Sequence, residues 1–237
     1  MGAGPGDPKL MTLWAAELLR EADVVIYDRL IQPGVLAYAN PAAEMIYMGK
    51  PVGRHESRQD EIMALLVEKA KAGKTVVRLK GGDPFIFGRG GEEAECLVEN
   101  GIPFEVVPGV TSAFAAPLKA GIPVTHRRAA SSVTVVTGHE CKENENCLDW
   151  EALARGGTLV FLMGVSNAGR IAQRLIEKGR PADTPVAVVQ KAFWPGERVI
   201  TGVLGKVAEH IEAEGIKPPA TLVVGEVVRM REKLVRQ

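Results

Sequence analysis

Eight short apolar runs, separated by amphipathic stretches, constrain the fold more than any other feature of the chain. They occupy 24–27, 45–48, 75–79, 104–107, 133–137, 158–162, 186–189 and 221–224. Most are β-branched and almost continuously apolar, the pattern of strands covered on both faces. Between them, Leu10, Leu13, Trp14 and Leu18 recur at helical spacing, as do Ile62, Leu65, Leu66 and Ala70, and again Ile171, Leu175 and Ile176. The alternation predicts an α/β protein with largely parallel sheets. The stretch 121–132 shows neither period and carries Gly, Pro and Ser, so it reads as the link between an N-terminal α/β lobe over 1–122 and a C-terminal α/β lobe over 123–237.

Composition bounds the function. Hydrophobic residues make up 46 % of the 237, enough for a packed core. The 29 basic and 29 acidic residues balance, so no global field favours nucleic acid or a membrane surface as partner. Cys96, Cys141 and Cys147 match no zinc or C-x-x-C spacing and read as free thiols in a reducing compartment, with no metal site. The chain has no apolar run of membrane-spanning length and opens on no secretory signal, so a cytoplasmic location is expected.

Glycines fall where the expected strands end, the place where α/β proteins bind ligands. Gly81-Gly82-Asp83-Pro84 follows 75–79, and Met163-Gly164 follows 158–162. Pro108-Gly109 follows 104–107, after which Thr111 and Ser112 open a helix. Gly2-Ala3-Gly4-Pro5-Gly6-Asp7-Pro8 precedes another helix. Neither G-x-G-x-x-G nor a P-loop occurs, and Pro5 removes a backbone donor that a phosphate would want. An adenosine-like ligand without phosphate fits these loops better than a nucleotide.

The strings GAGPGDP from Gly2, DVVIYDRL from Asp23, MGK ending at Lys50, VVRLKGGDPFIFGRGGEEAE from Val76, GIPFEVVPGVTSA from Gly101, GIPVTHR from Gly121 and PPATLVVGEVVRMREKL from Pro218 run from one end of the chain to the other. Through them the chain resembles the class III methyltransferases of tetrapyrrole biosynthesis. The resemblance implies two α/β lobes with S-adenosylmethionine bound in the cleft between them, release of S-adenosylhomocysteine, and a homodimer. It implies donor contacts at Pro5, Gly81, Gly82, Asp83, Ile86, Thr111, Ser112, Met163, Ala192, Pro219 and Ala220. Asp83 would accept from the donor's ammonium or a hydroxyl. Thr111 and Ser112 would offer backbone donors to its carboxylate. Ordinary turn, cap and core roles are the alternatives for these residues.

The substrate implied is a flexible tetrapyrrole macrocycle carrying acetate and propionate groups, methylated on two ring carbons. A sulfonium is a good leaving group and a pyrrole carbon is electron-rich, so positioning carries most of the catalysis. By resemblance, Asp28 is the proton acceptor and Lys50 the proton donor. The alternatives are a cap or an Arg29 pair for Asp28, and carboxylate binding for Lys50. Between Lys50 and Arg89, nine basic residues face five acidic ones. Of the cations in or beside loops, Arg29, Arg54, Arg58, Arg89 and Arg127 are the candidates for the substrate carboxylates, since arginine binds them bidentately.

Members of that family carry a short apolar strand before GAGPGDP, whereas this chain starts Met1-Gly2. A truncated or misassigned start is therefore expected, with exposed sheet edges and a loosened Pro5 loop. Two other readings compete: a sister enzyme acting on a later corrin intermediate, and a catalytically silent donor-binding relative. The combination of YDRL, MGK and RLKGGDPFIFGRGGEE favours action on the early, carboxylate-rich macrocycle.

Overall fold

The computed structural model describes residues 1–49, 57–139 and 148–235. The expected α/β alternation is present, divided into two compact units, Met1–Thr111 and Ser112–Gln237.

The first unit is built on a parallel sheet of order β2-β1-β3, with β1 at Val24–Tyr27, β2 at Glu44–Tyr47 and β3 at Val76–Leu79. It also holds α1 (Leu13–Glu21), α2 (Pro33–Leu36), α3 (Ser57–Lys71) and α4 (Gly90–Glu99). Side chains alternate along a strand, so neighbours serve opposite faces. Val25, Val77 and Leu79 pack with Leu19 and Ala22, while Val24 and Ile26 pack with Ile62 and Leu66. Helix α1 starts at Thr12, whose hydroxyl accepts from the Ala15 amide at 3.1 Å. It buries Ala15, Ala16 and Leu19, not the face expected from Leu13 and Trp14; Leu13 is 84 % exposed. Both faces have helical spacing, and the two alanines let this one approach closely.

The second unit contains α5 (Ser112–Lys119), β4 (Val133–Thr137), α6 (Trp150–Arg155), β5 (Thr158–Leu162), α7 (Ala168–Glu177), β6 (Pro185–Gln190), β7 (Arg198–Val203), α8 (Val207–Ala213), β8 (Ala220–Val224) and α9 (Arg231–Leu234). Its sheet runs β4-β5-β8-β6-β7. Only β4 and β5 pair in parallel; β8 lies antiparallel between β5 and β6, and β7 is antiparallel to β6. The parallel arrangement expected from the sequence thus holds for the first sheet and not for most of the second. Continuous apolarity reports burial on two faces and carries no information about direction. Here Leu159, Phe161, Val188 and Leu222 fill one face, and Val160, Ala187, Val189 and Val223 the other.

Three local differences from the sequence reading have similar causes. Residues 104–107 join no ladder. Their neighbour is the glycine-bearing stretch 1–4, which makes single bridges, and Val107 accepts from the Gly2 amide at 3.0 Å. Strand β7 was not expected because it is a half-exposed edge strand with a glycine in it. The division falls before α5 instead of at 122/123, because Ala113, Ala116, Ala120 and Ile122 pack with Val160 and Val223 of the second sheet.

Arg180 is 7 % exposed and donates to the carbonyls of Leu153 (3.3 Å), Gly156 (3.0 Å) and Gly157 (2.8 Å) at the end of α6. The Leu153 carbonyl also takes the capping Gly156 amide at 3.1 Å, while those of Gly156 and Gly157 lie beyond the helix ladder. Arg180→Met is expected to destabilise the protein by about 2 kcal/mol, read from urea unfolding, because three partly buried acceptors lose a charged donor.

Candidate active site

All three strands of the first sheet point the same way, so their carboxyl ends bring residues 28, 48–49 and 80–83 to one edge. Asp28 stands directly after β1. Its Oδ1 accepts from the Leu30 amide at 2.9 Å, and its Oδ2 lies 3.7 Å from Arg78 Nη2. The cap role for Asp28 is therefore real, yet it engages only one carboxylate oxygen. The pairing partner is Arg78, and Arg29 is exposed. Lys50 and Arg54 lie outside the described residues.

Three glycines meet backbone to backbone beside Asp83. A Cβ on Gly109 would stand 2.1 Å from the Gly82 carbonyl oxygen and 2.7 Å from Gly2 Cα; one on Gly2 would stand 2.6 Å from the Gly82 oxygen. Gly4 and Gly82 exchange hydrogen bonds at 3.2 and 2.7 Å, Ala3 donates to the Lys80 carbonyl at 2.8 Å, and Lys80 donates to that of Met1 at 3.0 Å. Residues 1–4 thus lie alongside the end of β3 and hold one flank of the Pro5 loop, where loosening was expected. Asp83 caps the turn through Oδ1, taking the Phe85 amide at 2.9 Å, and Oδ2 takes the Gly109 amide at 3.1 Å. An ionised carboxylate has about four acceptor positions, so two remain for a ligand.

The loop from Asp83 to α4 is exposed and conformationally demanding. Phe85, Ile86 and Phe87 are 56, 40 and 43 % exposed. Phe87 and Arg89 adopt φ of 53° and 58°. The other left-handed non-glycine residues among those described are Met163 (56°), Lys191 (51°) and Phe193 (62°). Every one lies in a loop leaving the carboxyl end of a strand: β3, β5 or β6. Such conformations cost on the order of 1 kcal/mol each or more and persist only where the surrounding structure holds them.

In the second unit, antiparallel β8 brings its start beside the ends of β5 and β6, since Phe161 faces Leu222 and Gln190 faces Ala220. Met163, Ala192, Pro219 and Ala220 therefore share one end of that sheet, and the Lys191 amide donates to the Pro219 carbonyl at 2.9 Å. Met163 is 54 % exposed, as a ligand-facing side chain would be. Ala192 is buried in the core, so it has only backbone to offer. Ser112 is the first residue of α5 and Thr111 precedes it.

The basic excess of 50–89 is spent differently from what the sequence suggested. Lys80, 4 % exposed, bonds both oxygens of Glu93, 5 % exposed, at 2.8 and 2.9 Å. Glu93 Oε1 also accepts from Arg78 Nε at 3.2 Å and Gln59 Nε2 at 3.1 Å. Burial alone would raise the Glu93 pKa, but Arg78, Lys80 and these hydrogen bonds outweigh it and hold the carboxyl below its ordinary value. Burial, then Arg78, pushes the Lys80 ammonium down. Neither Lys80, Arg78, Glu93 nor Gly109 was singled out as a site residue from sequence. The available signal was a lysine between an apolar strand and a glycine pair. Of the candidate arginines, Arg89 forks onto Glu92 with Nε at 2.9 and 3.0 Å from its oxygens; Arg58 falls on α3, and Arg127 is exposed in the second unit. Among the described residues no group of three or more His, Cys, Asp or Glu is placed to hold a metal ion.

Against known proteins, residues 1–208 match the family described as Tetrapyrrole (Corrin/Porphyrin) Methylases. The S-adenosyl-L-methionine-dependent uroporphyrinogen III methyltransferase of Methanosarcina barkeri is 52 % identical, covering 100 % of this chain and 94 % of its own length. A crystal structure of uroporphyrin-III C-methyl transferase from Thermus thermophilus, complexed with S-adenosyl homocysteine, aligns over 97 % of both chains with 46 % identity and a TM-score of 0.81. A cobalt precorrin-4 methyltransferase structure aligns over 96 % of this chain and 94 % of its own with 30 % identity and a TM-score of 0.85. The backbone is thus as similar to the cobalt precorrin-4 methyltransferase as to the uroporphyrin-III C-methyl transferase, while the sequence is more similar to the latter.

Proposed function

Because the chain belongs to the tetrapyrrole (corrin/porphyrin) methylases, we propose that it is the S-adenosylmethionine-dependent uroporphyrinogen-III C-methyltransferase, placing methyl groups on two ring carbons to give precorrin-2 for sirohaem and cobalamin-type products. The observation that carries the reading is identity of about half the residues over the whole chain with a relative of that activity. The structure's support is the set of left-handed residues, all in loops at strand ends, and the backbone contacts of Gly2, Gly82 and Gly109 beside Asp83.

The methyl donor, when bound, supplies an electrophilic methyl on a sulfonium. Gly81, Gly82 and Asp83 would present backbone groups and a carboxylate to it, with Ile86 and Met163 as apolar cover, backbone from Pro5, Ala192, Pro219 and Ala220, and the start of α5 at Thr111 and Ser112. Asp28, held by one oxygen, would take a proton that the macrocycle gives up after methyl transfer, with Lys50 as the proton donor. Arg29, Arg54, Arg58, Arg89 and Arg127 would meet the substrate carboxylates. We further propose a cytoplasmic homodimer. Among the described residues no helix is long and apolar enough to cross a membrane. Phe114 and Leu118, one turn apart on α5 and 46 and 71 % exposed, form an apolar strip for a second copy; light scattering tests it.

The reaction is tested by anaerobic incubation with uroporphyrinogen III and S-adenosylmethionine, followed by mass spectrometry. A gain of two methyl groups is expected, and Asp28→Asn is expected to cut turnover with donor affinity retained. Methylation of a later corrin intermediate alone, or donor binding without transfer, would replace the reading.

A further inference from the structure

Resting on that reaction, we propose that Glu93 is a positioning residue. It pins Arg78 so that the guanidinium stands near Asp28 without closing a hydrogen-bonded pair on it. The five groups involved come from four separate places in the sequence: Asp28 after β1, Gln59 on α3, Arg78 and Lys80 around the end of β3, and Glu93 on α4.

The geometry is specific. Arg78 Nε donates to Glu93 at 3.2 Å, and Nη1 donates to the carbonyls of Leu79 at 3.1 Å and Ile26 at 3.4 Å. That leaves Nη2 facing Asp28 Oδ2 at 3.7 Å, outside hydrogen-bond range but well within Coulomb range. A guanidinium released from Glu93 would fork onto Asp28 bidentately, the arrangement arginine prefers, and occupy the oxygen that a proton must reach. Glu93 prevents this only because it is itself fixed. Lys80 binds both its oxygens and Gln59 a third direction, all in a nearly dry setting. Lys80 immediately precedes Gly81-Gly82-Asp83, so the same carboxylate also ties the proposed donor loop to α4.

A buried carboxylate cannot be deleted cleanly, since Glu93→Gln alone leaves the Lys80 ammonium buried and unpaired. The informative protein is Lys80→Met combined with Glu93→Gln, which removes both buried charges. Expected is near-wild-type thermal stability and donor affinity by calorimetry, with kcat down by roughly tenfold or more as Arg78 shifts onto Asp28. Recovery of kcat together with stability would overturn the proposal and leave the pair a purely structural staple. A second readout needs no substrate: the effect of Asp28→Asn on the unfolding constant, measured in the wild type and in the double variant. A positioning link makes the two effects differ by roughly fivefold or more; equal effects would overturn it. If that coupling is present but the wild type methylates nothing, the proposed reaction has failed and the link between Glu93 and Asp28 stands.

Discussion

Gly109→Ala is expected to destabilise the protein by about 3 kcal/mol and to weaken binding of the methyl donor by roughly tenfold or more. The new methyl group would stand 2.1 Å from the Gly82 carbonyl oxygen, a backbone atom that cannot swing aside, and 2.7 Å from Gly2. To relieve the clash, the 81–83 turn must part from residue 109. That breaks the Gly109 amide bond to Asp83 Oδ2 and the Gly4–Gly82 exchange together. Gly91 is the matched control, since nothing lies within 4 Å of its Cβ position on α4. Gly91→Ala should gain about 0.5 kcal/mol from the helix and leave donor affinity alone. Urea unfolding and calorimetry of both variants check the pair of expectations, and equal behaviour would refute them.

Lys80→Met is expected to cost about 3 kcal/mol at neutral pH, because Glu93 keeps its charge in the interior while losing the ammonium that bonds both its oxygens. The pH dependence follows from the direction of the Glu93 shift. Its folded carboxyl is held below the ordinary 4.5, so the stability it contributes is fully present above 4.5 and is lost as the pH falls through the depressed folded value. Without Lys80 that depression shrinks, so the variant loses less on acidification. The gap between wild type and variant should therefore narrow below 4.5. Unfolding measured at neutral pH and in acid tests this; a gap independent of pH would mean that Glu93 and Lys80 are not the coupled pair.

Much of the candidate site is readable from the chain because glycine, proline and aspartate at strand ends have local reasons. Gly82 takes φ of 70°, and Asp83 caps its own turn at Phe85, both within a few residues. The left-handed Phe87, Arg89, Met163, Lys191 and Phe193 carry no such signature, since nothing in a phenylalanine or lysine announces a positive φ. They take it because the packed strand ends on either side fix where the loop must go. The basic excess between Lys50 and Arg89 invited a substrate role for its cations as a group. A count of charges cannot tell that Lys80 and Arg78 are already committed to Glu93, 13 and 15 residues further on.

By itself the sequence determined the α/β alternation, the glycine-bearing loops at strand ends and the family, because these depend on local composition and on a long uninterrupted string of residues. The tertiary structure alone decided the antiparallel insertion of β8, the boundary before α5, the meeting of Gly2, Gly82 and Gly109, and the enclosure of Glu93 by Arg78, Lys80 and Gln59. Period and apolarity record which faces of an element are buried, whereas direction, partner and enclosure arise only when segments distant in the chain compete for the same space.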